Sequence, residues 1–261
     1  MLLLTLVVFA KAALAEEPKV CGAPILLADG WTLATQAAVG LEAAKLCELD
    51  SFIAQWPEAN IHAVVIVRNG KLAMEQYFTG EDERWGDKLG RVTYGPETKH
   101  DLRSISKSVT SLLVGIALDE GKFPALDSSV LDAFPDYADL RTPEKARITF
   151  RGLLTMSSGL AWDENRPWND PRNTERGMIL ATDPFRYILS QPVAHPAGTV
   201  YAYSGGGTSL IGEALVRSTG RSLRDYAREK LFLPIDAPDF EWLDVGVSGK
   251  LGAFGSLRMR P

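Results

Sequence analysis

The stretch DLRSISKSVTSLLVGIALDEG, residues 101–121, decides the interpretation of this chain. It begins as a polar turn and continues with apolar residues at helical spacing, which predicts a helix over about 104–120 that ends at Gly121. Ser104 and Lys107 are three residues apart, so they share one face of its first turn. Either Ser104 caps an ordinary helix beside a solvated lysine, or the helix presents a nucleophile with its base.

The second alternative has a definite chemistry. A serine hydroxyl becomes an effective nucleophile only when a base takes its proton. Lys107 can be that base if burial or a neighbouring charge lowers its pKa. The positive end of the helix would favour the developing oxyanion, and the apolar residues 109–118 would bury the helix and hold both groups rigidly. The pair is therefore a candidate catalytic unit.

Composition limits the possible functions. The chain has 261 residues, of which 46% are hydrophobic and 23% charged, as in a globular protein with a sizeable core. This length fits one large domain or two closely packed ones. A formal net charge of -5 argues against nucleic acid as the main partner, which would require a basic surface. No run approaches the roughly 20 apolar residues of a stable membrane span.

The first residues, 1–15, have the pattern of a secretory signal peptide. An apolar run is followed by the small-residue site Ala13-Leu14-Ala15, although Lys11 interrupts the run and a basic start is missing. A buried N-terminal helix is the alternative. A signal peptide predicts a mature domain over 16–261 with a periplasmic or secreted location.

Two cysteines, Cys21 and Cys47, follow the predicted signal peptide. Export would place them in an oxidising compartment, where a disulfide could tie the N-terminal arm down. Unpaired, they would be small buried hydrophobic residues. The sequence leaves both alternatives open.

The rest of the pattern predicts a mixed α/β (α+β) chain. Two β-rich runs flank Asn69-Gly70, a strong hairpin signal, and the polar residues 80–100 predict a loop. Further helices are expected at about 41–55, after a Thr149 cap until near Gly159, from Asp183-Pro184, at 207–219 and at 222–232. A hairpin alone is marginal and needs further strands; their natural place is after residue 250, where the chain stops.

Three blocks carry a family resemblance: residues 102–137, ITFRGLLTMSSGLAWDE at 148–164, and PAGTVYAYSGGGTSLIGEAL at 196–215. Together and in this order, the chain from about 30 to 261 resembles the serine β-lactamase and penicillin-binding protein superfamily, in its class C-like branch. Within it, the chain is similar to esterases and 6-aminohexanoate-dimer hydrolases. The resemblance implies a β-lactamase-like fold, in which a helical region packs on an antiparallel sheet with the site at their junction.

The resemblance also implies roles for three residues. Ser104 of the S-x-x-K motif would be acylated, Lys107 would be its base, and Tyr203 would relay the proton between nucleophile and leaving group. Tyr201, two residues earlier, is the rival to Tyr203. Aromatic packing in the core is the plain alternative for both tyrosines.

This chain departs from the family pattern at two places. Gly205 stands where lactamases carry the asparagine of Y-x-N, whose carboxamide would bind a substrate amide. Its replacement favours esters or simple linear amides over β-lactams. The third motif, K-T-G or H-x-G, does not follow Tyr203, and GAFGSLRMRP, 252–261, resembles the segment before the strand that carries it. The expectation is therefore a sheet that is incomplete at the C-terminus, in a chain truncated there.

Other features give weaker signals. The polar segment 162–177 is a surface loop or a lid on which Trp162 or Trp168 lines an acyl pocket. The glycine run 205–207 indicates close backbone packing, because the lysine of a phosphate loop is missing. The histidines are scattered, so neither a metal site nor a cofactor is predicted: His62, His100 and His195.

The sequence thus predicts a serine hydrolase that forms an acyl-enzyme with a small-molecule ester or short linear amide. A D-Ala-D-Ala carboxypeptidase or a β-lactamase is an alternative within the family. A non-catalytic module that binds acyl or peptidoglycan-like ligands is the alternative from another class. The physiological substrate and the oligomeric state stay open.

Overall fold

The computed structural model describes residues 21–250 and 252–261. The predicted signal peptide, 1–15, lies outside the described residues. By its internal contacts the described chain divides into two units, one with residues 21–81 and 90–95, the other with 82–89, 96–250 and 252–261.

The first unit contains a three-stranded sheet in the order β1-β3-β2, with β1 at Thr32–Leu33, β2 at Ala63–Arg68 and β3 at Lys71–Tyr77. β2 and β3 are antiparallel, and Asn69 and Gly70 between them have φ angles of 53° and 69°. This left-handed conformation is what an Asn-Gly hairpin turn requires, so the predicted hairpin is confirmed.

The helix predicted over 41–55 is instead two short helices, α1 at Ala43–Leu46 and α2 at Leu49–Ala54. The interruption includes Cys47, which forms a disulfide with Cys21. The two cysteines are therefore paired in the structure, and the bond joins the N-terminal arm to this helical segment.

The prediction of a loop over residues 80–100 was wrong. Two strands, β4 at Thr79–Arg84 and β5 at Asp87–Thr93, form a two-stranded sheet. The turn residues Trp85 and Gly86 have φ angles of 52° and 93°. Most side chains of both strands are exposed, so the sequence lacks the apolar alternation by which a half-buried strand is recognised.

The second unit is mostly helical. Its helices are α3 at Ile105–Asp119, α4 at Phe150–Leu154, α5 at Thr174–Leu180, α6 at Pro184–Ser190, α7 at Gly205–Thr219 and α8 at Leu223–Ala227, which continues as a π-helical turn over Arg228–Phe232. Short 3₁₀ turns between residues 130 and 147 connect α3 with α4. α3 and α7 lie side by side, and their apolar faces belong to one core.

Local signals explain most of these helices. Thr149, Asp183 and Ser204 each accept a backbone hydrogen bond at the start of α4, α6 and α7, as N-cap residues do. α4 ends at Leu154, earlier than predicted. α5 lies in the segment that was expected to be a loop or a lid, and Asn173 caps it.

A second three-stranded sheet belongs to this unit. Its order is β6-β8-β7, with β6 at His100–Asp101, β7 at Phe240–Trp242 and β8 at Leu257–Met259, and both pairings are antiparallel. β8 lies after residue 250 but does not extend the β2–β3 hairpin: it pairs with β6 and β7, whereas β3 of the hairpin pairs with β1. Helices together with antiparallel sheets confirm the mixed α/β prediction.

Within the described part of the chain, no helix is both long and apolar enough to cross a membrane. The same residues contain no group of three or more His, Cys, Asp or Glu side chains placed to hold a metal ion.

Candidate active site

The structure brings Ser104 and Lys107 together at the start of α3. Lys107 Nζ donates hydrogen bonds to Ser104 Oγ at 3.1 Å and to the Phe254 carbonyl oxygen at 2.8 Å. Ser104 is the residue before the helix, yet its side chain accepts no capping hydrogen bond from it. The hydroxyl is therefore paired with the lysine, as the nucleophile-and-base alternative requires.

The backbone before Ser104 bends sharply. Arg103 has a φ angle of 46°, a left-handed conformation that costs a residue with a side chain about 1 to 3 kcal/mol. Its guanidinium forms ion pairs with Glu83 and Asp101 and lies 5.1 Å from the centre of the Trp85 ring. These contacts hold the bend that leaves Ser104 exposed.

The first turns of α3 are attached to residues 253–257. The buried Ser106 hydroxyl accepts a hydrogen bond from Leu257 N at 3.1 Å. Thr110 Oγ1 donates to the Ala253 carbonyl oxygen at 2.9 Å. With the bond from Lys107 to Phe254, three side chains of one helix fix this segment beside Ser104.

Ser106→Ala should lower the free energy of unfolding by about 1 to 3 kcal/mol, since it leaves the buried Leu257 N–H without its acceptor. The effect of this change on activity should be mild. Ser108→Ala, at an exposed position of the same helix, should change stability by less than about 0.5 kcal/mol. Urea unfolding of both variants measures the difference, and equal stabilities would contradict the assigned hydrogen bond.

The structure separates the two candidate tyrosines. Lys107 Nζ lies 4.8 Å from the centre of the Tyr203 ring. Tyr201 is 69% exposed. The backbone around Tyr203 is held by Met156, whose carbonyl oxygen accepts from Ala202 N at 2.7 Å. Tyr203 therefore lies beside the serine–lysine pair, and the proton-relay role that the family resemblance implies for it stays a prediction.

The glycine run beside Tyr203 makes room for side chains of other segments. A Cβ on Gly206 would lie 2.4 Å from Trp162 Cη2. A Cβ on Gly205 would lie 3.1 Å from Phe254 Cδ2 and 3.3 Å from Glu164 Oε2. Close packing was the expectation from sequence, but the packed partners are side chains rather than backbone.

The two predicted tryptophans have different environments. Trp162 is partly buried, and its ring packs against Gly206. Its Nε1 donates to Glu164 Oε2 at 2.6 Å. Trp168 is 55% exposed, and among the described residues no hydrogen bond or ring contact joins it to Ser104 or Lys107. The structure therefore brings Trp162, and not Trp168, to the candidate site.

Two acidic residues at the site were missed from the sequence. Glu164 Oε2 accepts from Gly205 N at 2.7 Å as well as from Trp162. Glu175 lies in the first turn of α5, and the hydrogen bonds between Asp163 and Thr174, at 2.9 and 3.1 Å, hold the two segments together. Both glutamates stand in a polar segment without periodicity, so only the folded chain reveals them.

Burial, and then the negative charge of Glu164, raise the pKa of Glu175 from 4.5 to about 7; Lys107 and Arg103 act in the opposite direction. The folded state therefore holds this proton at a higher pH than the unfolded chain does. The resulting penalty on stability is absent below pH 4.5 and grows as the pH rises towards 7.

Glu175→Gln removes this penalty. The variant should gain stability over the unmodified protein as the pH rises, by up to about 1 to 2 kcal/mol near pH 8, after allowance for the exposed part of the carboxyl group. Chemical denaturation of both proteins at acidic and at mildly alkaline pH measures the gain. A difference that does not change with pH would show that Glu175 titrates normally.

These contacts define what the site can do. An amine lies within hydrogen-bond reach of an exposed hydroxyl, so a proton can pass between them. The hydroxyl stands at the N-terminus of a 15-residue helix, which favours negative charge. The centres of the Tyr203 and Phe254 rings lie 4.8 and 5.5 Å from the amine.

Known proteins share the sequence pattern. The Beta-lactamase family model matches residues 50–246. Protein flp of Staphylococcus aureus (strain MW2) is 24% identical over 193 residues, which cover 74% of this chain and 37% of that protein. A D-aminopeptidase of Brucella canis is 28% identical over 177 residues, 66% of this chain and 31% of the enzyme.

Solved structures share the fold. FmtA from Staphylococcus aureus has a TM-score of 0.62 at 18% identity, over 88% of this chain and 65% of its own. A class C β-lactamase bound to cefoxitin has a TM-score of 0.60 at 20% identity, over 86% and 63%. A 6-aminohexanoate-dimer hydrolase homologue from Bacillus anthracis has 0.62 at 18%, over 81% and 53%.

The chain spans about a third of the length of these curated relatives. The family match nevertheless covers most of the chain, and the structural neighbours include both groups that the sequence blocks resemble. The chain therefore belongs to the Beta-lactamase family, within the serine β-lactamase and penicillin-binding protein superfamily of serine hydrolases.

Proposed function

We propose that the protein is a serine hydrolase that acts through an acyl-enzyme at Ser104 on carboxylic esters or short linear amides. The observation that carries this proposal is the 3.1 Å hydrogen bond between Lys107 Nζ and Ser104 Oγ. The hydroxyl is exposed to an incoming substrate, and α3 does not use it as a cap. Membership of a serine hydrolase family supports the same reaction class.

In the proposed reaction, the Lys107 amine takes the proton of Ser104 while Oγ bonds to the substrate carbonyl carbon. The oxyanion forms near the N-terminus of α3. Collapse of the tetrahedral intermediate breaks the bond to the alcohol or amine, which leaves with a proton relayed through Lys107 and Tyr203. Water then attacks the acyl-enzyme, and the acid is released as Ser104 regains its proton.

Gly205 supports the preference for esters and linear amides. It offers no carboxamide to a substrate amide, and the Glu164 carboxylate lies beside it instead. Gly205→Asn would restore the carboxamide and should raise acylation by β-lactams if the backbone tolerates it. The short distances from a Cβ to Phe254 and Glu164 oppose that change, because both neighbours would have to move.

The experiment compares turnover of p-nitrophenyl esters and of nitrocefin by the same protein. We expect kcat/KM to be higher for the esters by roughly a hundredfold or more, because a β-lactam amide lacks its hydrogen-bond partner here. Efficient nitrocefin hydrolysis would instead assign the protein to the β-lactamases. If the protein binds esters but neither turns them over nor becomes covalently labelled, the non-catalytic binding module would be favoured.

We further propose that the protein is exported to the periplasm or secreted. The Cys21–Cys47 disulfide supports this location, since such bonds persist in oxidising compartments. A fusion to a reporter that is active only after export tests it.

A further inference from the structure

Met156 has a backbone conformation that favours glycine. Its φ angle is 55°, in the left-handed region that side chains rarely adopt. Met156 N donates to the Leu153 carbonyl oxygen at 3.1 Å, and Ser157 N donates to the Gly152 carbonyl oxygen at 2.7 Å. These two hydrogen bonds close the end of α4 as a Schellman motif, in which the left-handed position is usually occupied by glycine.

The two longest helices of the same unit follow the usual rule. α3 and α7 are followed by Gly121 and Gly220, which have φ angles of 67° and 68°. A residue with a side chain is strained in this conformation, and such strain persists where the surrounding structure requires it. Glycine would close the turn after α4 with less strain, so the contrast indicates that the side chain of Met156 has a role of its own.

Core packing does not account for that side chain. In the described part of the unit, Met156 belongs neither to the buried hydrophobic core nor to the partly buried apolar residues packed against it, whereas the nearby Leu154 does. Met156 instead lines a cavity that Lys107 also lines. Its side chain therefore borders the space beside the lysine of the candidate site.

Met156 also fixes the backbone on both sides of Tyr203. Its carbonyl oxygen accepts from Ala202 N at 2.7 Å, and its thioether sulfur accepts from Ser204 N at 3.3 Å. Among the described residues, these are the two hydrogen bonds that the backbone N–H groups of 201–204 donate. The segment 201–204 belongs to no helix or strand, so its position depends on them.

The place of Tyr203 beside Lys107 depends in turn on this backbone. Lys107 Nζ lies 4.8 Å from the centre of the Tyr203 ring. A proton relay between the two side chains requires that they approach within hydrogen-bond distance. A displacement of about 1 Å is enough to lower a catalytic rate strongly, so a loosened segment 201–204 would impair the relay.

We propose that Met156 is the positioning residue for Tyr203, and that its sulfur and carbonyl oxygen together keep the tyrosine beside Lys107. This inference rests on the proposed function, in which Tyr203 relays a proton. Met156 itself transfers no proton and acts through the tyrosine. Glycine at this position would keep the bond from Ala202 N but would lose the bond from Ser204 N, which accounts for the strained methionine.

The kinetic test uses two variants that remove the sulfur in different ways. Met156→Leu keeps an apolar side chain, and Met156→Gly relieves the backbone strain. We expect each to lower kcat for a p-nitrophenyl ester by about tenfold to a hundredfold and to leave KM within about twofold. Met178→Leu makes the same exchange at a buried position of α5 and should keep the original kcat.

A double variant shows whether the loss passes through the tyrosine. When the hydroxyl is removed by Tyr203→Phe, adding Met156→Leu should lower kcat little further, because the two residues act on one step. An unchanged kcat in both Met156 variants would overturn the inference. An undiminished further loss in the double variant would also overturn it, since Met156 would then act independently of Tyr203.

Hydrogen exchange separates this inference from the proposed function. In Met156→Leu and Met156→Gly, peptides that contain residues 201–204 should exchange about fivefold to tenfold faster than in the unmodified protein, while peptides of α3 keep their rates. Mass spectrometry after digestion measures these rates. Faster exchange confined to 201–204 supports the inference even if ester hydrolysis does not depend on Ser104. Unchanged exchange there would overturn the inference and leave the hydrolase assignment intact.

Discussion

Ser104→Ala and Lys107→Ala are each expected to lower kcat for p-nitrophenyl esters by at least about a thousandfold. The reason is geometric: the only described base within hydrogen-bond reach of Ser104 Oγ is Lys107 Nζ, at 3.1 Å. Without the amine the hydroxyl keeps its proton, and without the hydroxyl the amine has nothing to activate.

The double variant should be little worse than either single one, because residues that act as a unit lose their effect together. Ser108→Ala is the matched control, at an exposed position one residue after Lys107. Circular dichroism should show that all variants fold. Nearly full activity of Ser104→Ala would refute the assigned nucleophile, and additive losses in the double variant would refute the assigned pairing.

Gly159→Ala is expected to lower the free energy of unfolding by about 3 kcal/mol or more. Gly159 has a φ angle of 80°, in the left-handed region that side chains disfavour. A Cβ there would lie 2.2 Å from the His195 carbonyl oxygen and 3.2 Å from Ala197 N. Both obstacles are backbone atoms, so no side-chain rotation can relieve them.

Gly159→Ala should also disturb the active site. Gly159 O accepts from Ala194 N at 2.8 Å and from His195 N at 3.2 Å, in the segment that leads to Tyr203. Gly115→Ala is the control. Gly115 lies in α3, and no atom lies within 4 Å of the position of a Cβ there. This variant should raise the free energy of unfolding by about 0.5 to 1 kcal/mol. Thermal melting of both variants measures these changes in stability. An unchanged Tm for Gly159→Ala would contradict the close packing of Gly159 against the backbone of His195 and Ala197.

Elements with local signals could be predicted from the sequence. The hairpin follows from Asn69-Gly70, and α6 follows from Asp183-Pro184, because these residues fix the backbone by themselves. The β4–β5 pair and α5 were missed, since their polar residues have no apolar periodicity. Tertiary contacts, such as Trp85 N donating to Asp101 Oδ2 at 2.6 Å, hold these elements instead.

The same distinction applies to the candidate site. Ser104 and Lys107 could be paired from sequence because a helix brings residues three apart together. The resemblance to a known family supplied Tyr203. Glu164 and Phe254 come from segments that are 60 and 150 residues from Ser104 in the chain, so only the fold could place them there.

Covalent labelling of the nucleophile tests the central claim most directly. The protein is treated with a fluorophosphonate, digested, and mapped by mass spectrometry. The proposed function requires one phosphonyl group on Ser104, with none in Ser104→Ala and much slower labelling in Lys107→Ala. An adduct on another residue, or ester hydrolysis that continues while Ser104 stays unmodified, would contradict the claim that Ser104 is the nucleophile.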